Sequence, residues 1–261
     1  MHAFLVFSVG MDSNQFESLA GQICLITGAT RGIGYAIAHM LAGQGASVVI
    51  CGREQHSVDQ AVAQLVAETG GKVEGKAADV RDSVQLGELF RFIDTRFGGL
   101  DVLVNNAGVG IFSPVSELSV EQWKTTVETN LYGVFYATRE ALLRFETRAR
   151  GYIVNISSLA GANAFAGGAA YNASKFALTG FSEAAMQDLR SKNVRVSYIM
   201  PGSVATGFGG SSVGHGSGED WKIWPEDVAE IVKMLLLMPA RTLVSRVEVR
   251  PSKPPQPGPK R

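Results

Sequence analysis

Cysteine is scarce in this 261-residue chain: only Cys24 and Cys51 occur, each inside an apolar run (Ile23-Cys24-Leu25-Ile26 and Val48-Val49-Ile50-Cys51). Such thiols read as small buried hydrophobes, and two isolated residues build neither a disulfide framework nor a zinc site. An excess of one charge sign is also missing, since 24 Lys and Arg balance 24 Asp and Glu. No global field therefore draws the protein to nucleic acid or to an anionic membrane. Long hydrophobic runs are lacking too. The apolar opening, Met1 to Gly10, is shorter than a membrane span and has neither a basic leader nor a small-residue cleavage site. Residues 1–20 are read as a flexible extension, with Met11 as a second candidate start, and the reduced thiols point to the cytoplasm. Proline-rich, basic Pro251 to Arg261 cannot build a core and reads as a disordered tail.

Residues 21–250 remain as one domain, and no linker or internal repeat divides them. Short apolar runs alternate there with helix-period segments. The strands are expected at Gln22–Thr27, Ser47–Cys51, Lys72–Ala78, Asp101–Asn105, Tyr152–Ser157, Val194–Ile199 and Leu243–Val249. Between them lie helices at Ile33–Gln44, Gln55–Glu68, Ser83–Phe97, Ser119–Arg148, Ala170–Ser191 and Pro225–Leu237. Ser119 and Gln122 make a capping box at the start of the longest. This alternation implies an α/β fold of Rossmann type, a doubly wound, seven-stranded parallel sheet with helices on both faces.

The first strand runs into its helix through Thr27-Gly28-Ala29-Thr30-Arg31-Gly32-Ile33-Gly34. Glycines there allow a tight turn and a close approach to a pyrophosphate, which the helix N–H groups then hold. A tight connection alone also needs glycine, so position must add weight. An NAD site expects an acidic residue at the end of the second strand, but this chain has Cys51-Gly52-Arg53. A guanidinium at Arg53 pairs with a 2′-phosphate, and Arg31 can clamp the same group, which favours NADP(H); the alternative for either arginine is a solvated surface charge.

In the helix after the fifth strand, Tyr171 and Lys175 lie four residues apart and so on one face. Reducing a carbonyl requires a proton on oxygen, from an acid whose pKa approaches the working pH. A phenol titrates near ~10, and bringing it to ~7 requires on the order of 4 kcal/mol. A neighbouring ammonium supplies much of that, so Lys175 is expected to lower Tyr171. Helical spacing also produces such pairs by accident, with the tyrosine in the core and the lysine in solvent.

The glycine turn, together with Asn105-Asn106-Ala107-Gly108 after the fourth strand, resembles the short-chain dehydrogenase/reductase family, and the likeness runs from Gly21 to Val249. The resemblance extends to 3-oxoacyl-reductase-like members. It implies that Asp79 and Val80 border the adenine, and that Asn106, Ala107 and Gly108 brace the sheet and contact the cofactor. Asp79 has a second reading, as the cap of the helix near Ser83. By the same resemblance Ser158, thirteen residues before Tyr171, bonds the substrate oxygen, while Ser157 is structural. Asn130 matches the family's fourth catalytic position, whose side chain supports a water linked to the lysine; a buried structural hydrogen bond is the alternative. Pro201, Gly202, Val204 and Thr206 resemble the segment that cups the nicotinamide.

The implied activity is NADP(H)-dependent reduction of a ketone, aldehyde or 3-oxoacyl carbonyl, with NADP-linked oxidation of a secondary alcohol as the reverse reading. A non-catalytic NADP sensor would not need Ser158, Tyr171, Lys175 and Asn130 together. The partner is thus a small carbonyl or alcohol. Gly207 to Gly218 is expected to be a mobile lid over it, and Phe208, His215, Trp221 and Trp224 suggest an apolar substrate face, with the tryptophans alternatively anchoring the last helix. Many family members end in a glycine-containing strand at a tetramer axis, whereas this chain ends Val247-Glu248-Val249-Arg250-Pro251. A homodimer through the two longest helices is therefore expected, ahead of a homotetramer.

Overall fold

A computed structural model describes residues 18–210 and 221–253. Met11, His215 and most of the proline tail lie outside the described residues, as does most of the expected lid. Seven parallel strands form one sheet in the order β3-β2-β1-β4-β5-β6-β7: β1 (Ile23–Thr27), β2 (Ser47–Gly52), β3 (Lys72–Ala77), β4 (Val102–Asn105), β5 (Gly151–Ile156), β6 (Val194–Pro201) and β7 (Arg246–Val249). The expected fold class is the observed one. Connecting helices are α1 (Gly32–Gly43), α2 (Gln55–Thr69), α3 (Ser83–Phe97), α4 (Val120–Val127), α5 (Gly133–Arg148), α6 (Ala169–Leu189) and α7 (Pro225–Leu237).

The central strands are buried along their whole length, because helices cover both faces of a parallel sheet. On one face Ile37, Leu41, Leu65, Val232 and Leu236, from α1, α2 and α7, close over Ile26 and Val104. On the other Leu89, Phe90, Ala141, Phe145 and Leu189, from α3, α5 and α6, pack on Leu25 and Leu103. Leu19 belongs to the first of these cores, ahead of the expected domain start at residue 21. The chain winds outward from β1 to β3 and then restarts at β4 on the other side of β1. Helix connections diverge at this switch point and leave a crevice at the carboxyl ends of the strands, where such folds bind ligands.

Two elements differ from expectation. The helix expected over Ser119–Arg148 is interrupted by a π turn at Glu128–Tyr132, one residue wider than the α-helical repeat. The last strand starts at Arg246 rather than Leu243, because the Val244 carbonyl accepts a hydrogen bond from Ser197 Oγ at 2.6 Å, outside the ladder. Among the described residues no helix is long and apolar enough to cross a membrane.

Candidate active site

The glycine turn is shaped by what lies against it. Gly28 has φ +64°, and a Cβ there would sit 2.7 Å from the Ala107 Cα. At Gly34 a Cβ would sit 2.4 Å from the Asn106 amide nitrogen and 2.7 Å from the Gly28 carbonyl oxygen. Only glycine fits either place. The Asn106 side chain donates to the Thr27 and Gly28 carbonyls, both at 2.9 Å. Thr27 Oγ1 accepts from the Asn106 and Ala107 amides, both at 3.0 Å, so the ends of β1 and β4 are clamped together.

Arg31 stands at the N-cap of α1 and makes no side-chain cap bond, which leaves the helix amino end able to receive an anion. Thr30 packs against Gly52 at the end of β2, and Arg53 follows it, exposed like Arg31. Ile33 is half-buried, and Gly32 faces the Thr206 side chain, 3.4 Å from where its Cβ would be.

Asp79 lies beyond β3, and its carboxylate is gripped by Arg81 through Nη2 at 2.6 Å and Nε at 3.0 Å. That guanidinium holds the carboxyl below its usual range. The cap of α3 is instead Asp82, which accepts from the Val84 and Gln85 amides, so the helix-cap reading of Asp79 is corrected. Val80 is buried against Gly133, the first residue of α5.

Four candidate catalytic residues converge at the carboxyl ends of β4 and β5. Tyr171, in the first turn of α6, is 8% exposed, and Lys175 one turn later is 4% exposed. Lys175 Nζ donates to the Ile156 carbonyl at the end of β5 at 3.0 Å and stands 5.8 Å from the Tyr171 ring centre. Burial lowers the Lys175 pKa to about 8, because an ammonium loses its hydration there.

Burial likewise raises the Tyr171 phenol above its ordinary value, opposed by a hydrogen bond with Ser158. The phenol that was expected to be lowered is raised: desolvation is the larger influence and the Ser158 contact the opposing one. Ser158 Oγ also accepts from the Ala160 amide at 3.1 Å, which fixes its rotamer. Ser157 Oγ is buried without a protein partner.

Asn130 sits in the π turn and is 0% exposed. Its Oδ1 accepts from the Val109 amide at 2.8 Å, and its Nδ2 donates to the Val109 carbonyl at 2.9 Å and to Ser174 Oγ at 3.0 Å. Its amide therefore pairs with the chain beyond β4 as another strand would. Both polar atoms are engaged with protein, which is the buried structural hydrogen bond that was the alternative reading of this residue. Gly108 lies between this brace and Lys175, within 3.8 Å of Nζ from a would-be Cβ.

Beyond β6, Pro201 ends the strand and the Gly202 amide donates to the Val249 carbonyl at 2.8 Å. Val204 bridges to Ile223, which carries Thr206 across to the glycine turn. Phe208 then places its ring 5.8 Å from that of Tyr171. Trp224 takes the N-cap of α7, its backbone amide donating to Asp227 at 2.7 Å. Sequence reasoning missed Phe112 and Phe165: Phe112 lies 5.5 Å from Tyr171 and 5.7 Å from Phe165. The available signal was their placement, four residues after Gly108 and six before Tyr171.

A glycine-clamped helix start beside a buried Ser-Tyr-Lys cluster defines a dinucleotide-type oxidoreductase site. The short chain dehydrogenase family pattern matches residues 22–214, and the chain belongs to that family. It is 32% identical over 237 residues to an uncharacterised oxidoreductase of Staphylococcus saprophyticus, covering 89% of this chain and 98% of the relative. A metagenomic short-chain oxidoreductase solved in complex with NADP superposes with a TM-score of 0.78 at 36% identity, covering 90% of this chain and 99% of the other. An alcohol dehydrogenase from the archaeon Thermococcus sibiricus, complexed with 5-hydroxy-NADP, gives 0.82 at 30% identity, covering 92% and 99%.

Proposed function

We propose that the protein is an NADP(H)-dependent reductase of carbonyl compounds. The observation that carries this reading is the buried Tyr171 side chain, 8% exposed, with Lys175 Nζ 5.8 Å from its ring centre and Ser158 just beyond the end of β5. The residues fit the cofactor: the glycine turn lets β1 run straight into α1, the α1 amino end lacks a side-chain cap, and Arg31 and Arg53 are exposed in the segments that follow the neighbouring strands β1 and β2. The solved relatives' NADP and 5-hydroxy-NADP support the same choice. Asp79 and Val80 would border the adenine, Asn106 to Gly108 the ribose side, and Pro201, Gly202, Val204 and Thr206 the nicotinamide. Bound there, a reduced nicotinamide supplies hydride.

Burial keeps Tyr171 protonated at neutral pH, the form an acid needs for reduction. It donates its proton to the substrate oxygen, which the Ser158 hydroxyl also holds. Lys175, titrating at about 8, releases and regains a proton near working pH and so can re-supply Tyr171. Asn130 keeps Val109, and with it the Gly108 turn beside Lys175, in register. A carbonyl panel followed by NADPH absorbance tests this. Wild type should turn over at least one ketone or aldehyde; Tyr171→Phe should lose at least about 100-fold in kcat, general acid catalysis contributing ~10²–10⁴, while NADPH still binds. Substantial turnover by Tyr171→Phe refutes the assignment.

The domain is proposed to span residues 21–250 together with Leu19, which packs into its core, between an N-terminal extension and a proline-rich tail. Two free cysteines fit a reducing cytoplasm. Exposed Trp123, Phe135 and Leu143 on α4 and α5, with Phe176 on α6, support a homodimer through these helices, which light scattering tests.

A further inference from the structure

Three phenylalanines from three separate loops form one cluster with Tyr171: Phe112 and Phe208 contact its ring, and Phe165 contacts Phe112. Phe112 comes from the segment after β4, Phe165 from the segment between β5 and α6, and Phe208 from the segment after β6. They are 46%, 47% and 40% exposed, so large apolar rings are held half in solvent at the mouth of the chemistry. Burying any one of them would stabilise the fold, and a surface that keeps such rings clustered and open is a binding surface.

Two of the rings, Phe112 and Phe165, are also fixed. The Ser113 amide donates to the Gly167 carbonyl at 2.7 Å, which ties the Phe112 loop to the Phe165 loop. The Asn172 side chain, one residue after Tyr171, donates to the Phe165 carbonyl at 3.0 Å. Glycine makes room where the rings seat: a Cβ at Gly110 would lie 2.6 Å from the Phe208 ring, and one at Gly209 would lie 2.6 Å from the Phe112 ring. A wall held by backbone bonds loses little freedom when a ligand arrives.

Orientation sets the preferred ligand. Phe112 stands edge-on to Tyr171, with 80° between their planes, while Phe165 is tilted 58° from Phe112 and Phe208 56° from Tyr171. These angles present both ring edges and ring faces, and a flat π system gains from edge-to-face contacts beyond the area it buries. Lys175 is the only basic residue of α6, and its ammonium is buried and committed to the Ile156 carbonyl.

We infer that the physiological substrate is an aryl ketone, a carbonyl joined directly to an aromatic ring, with Phe112, Phe165 and Phe208 as its specificity-determining wall. This rests on the proposed carbonyl reduction: hydride from NADPH adds to the carbonyl carbon, the C=O π electrons move to oxygen, and Tyr171 protonates that oxygen. The carbonyl oxygen points to Tyr171 and Ser158 while the ring lies against the wall.

Acetophenone and cyclohexyl methyl ketone share a carbon skeleton and differ in the ring's planarity and π character. Their kcat/KM ratio with NADPH is measured for wild type, Phe112→Leu and Phe165→Leu, together with the Kd of each ketone for NADPH-loaded Tyr171→Phe. Wild type should favour acetophenone at least about tenfold, and each leucine should lower the ratio about two- to tenfold, since aromatic pairs contribute at that level. A ratio near one, or one unmoved by both leucines, overturns the aryl wall. If neither ketone is reduced but acetophenone binds Tyr171→Phe more tightly, the wall stands and carbonyl reduction falls; equal Kd values, or no binding, overturn the wall itself.

Discussion

Replacing Asn130 by alanine isolates the brace that the π turn supplies. The side chain is 0% exposed and makes bonds of 2.8, 2.9 and 3.0 Å to the Val109 amide, the Val109 carbonyl and Ser174. Ser174 Oγ keeps a partner after the change, because it also donates to the Tyr171 carbonyl at 2.8 Å. Val109 loses both of its side-chain partners. An unpaired buried polar group costs ~1–3 kcal/mol, so two cost about 2–6 kcal/mol at full burial, and because Val109 is half-buried, solvent offsets part of this. We expect a loss of about 3 kcal/mol, and at about 2–4 °C per kcal/mol in a chain of this size, a Tm lower by roughly 6–12 °C. Asn130→Asp keeps the shape without a cavity but sets a carboxylate against the Val109 carbonyl, and it should also destabilise at neutral pH. Calorimetry at fixed protein concentration measures both. A Tm within about 2 °C of wild type for Asn130→Ala would refute the brace.

Arg53→Ala should reduce kcat/KM for NADPH about 10- to 100-fold, the contribution of a charge-assisted bond, and leave the NADH value unchanged; equal wild-type use of both cofactors would remove the 2′-phosphate reading. Lys175 supplies a pH signature. Its folded pKa, about 8, lies below the ordinary 10.5, so between these values the unfolded chain binds a proton that the folded one does not, and stability rises with pH across that window. Urea titrations of wild type and Lys175→Met should show their stability difference moving about 2 kcal/mol towards wild type from pH 8 to pH 10. A pH-independent difference would mean that Lys175 is not desolvated.

Local pattern carried much of this protein. Alternating apolar runs specify seven strands because a parallel sheet buries both faces. Glycines at 28 and 34 are demanded by close backbone approach, and the interval from Tyr171 to Lys175 follows from the helical repeat. Partnership is where local reading ended. Both Asp79 and Asp82 are acidic residues ahead of a helix, and only the folded chain shows Arg81 gripping the first and the α3 amides taking the second. Asn130 in a helix signals a tertiary reason, but Val109, 21 residues away in sequence, becomes its partner only when β4 packs against the π turn.

The sequence by itself determined the fold class and which side chains stand near the carboxyl ends of β4 and β5, since periodicity and spacing are properties of neighbouring residues. Tertiary structure decided the balance at Tyr171, where burial prevails over the Ser158 contact. It also decided the convergence of Phe112, Phe165 and Phe208. Desolvation and ring contact depend on what three distant loops place around a group, and no local stretch of chain encodes that alone.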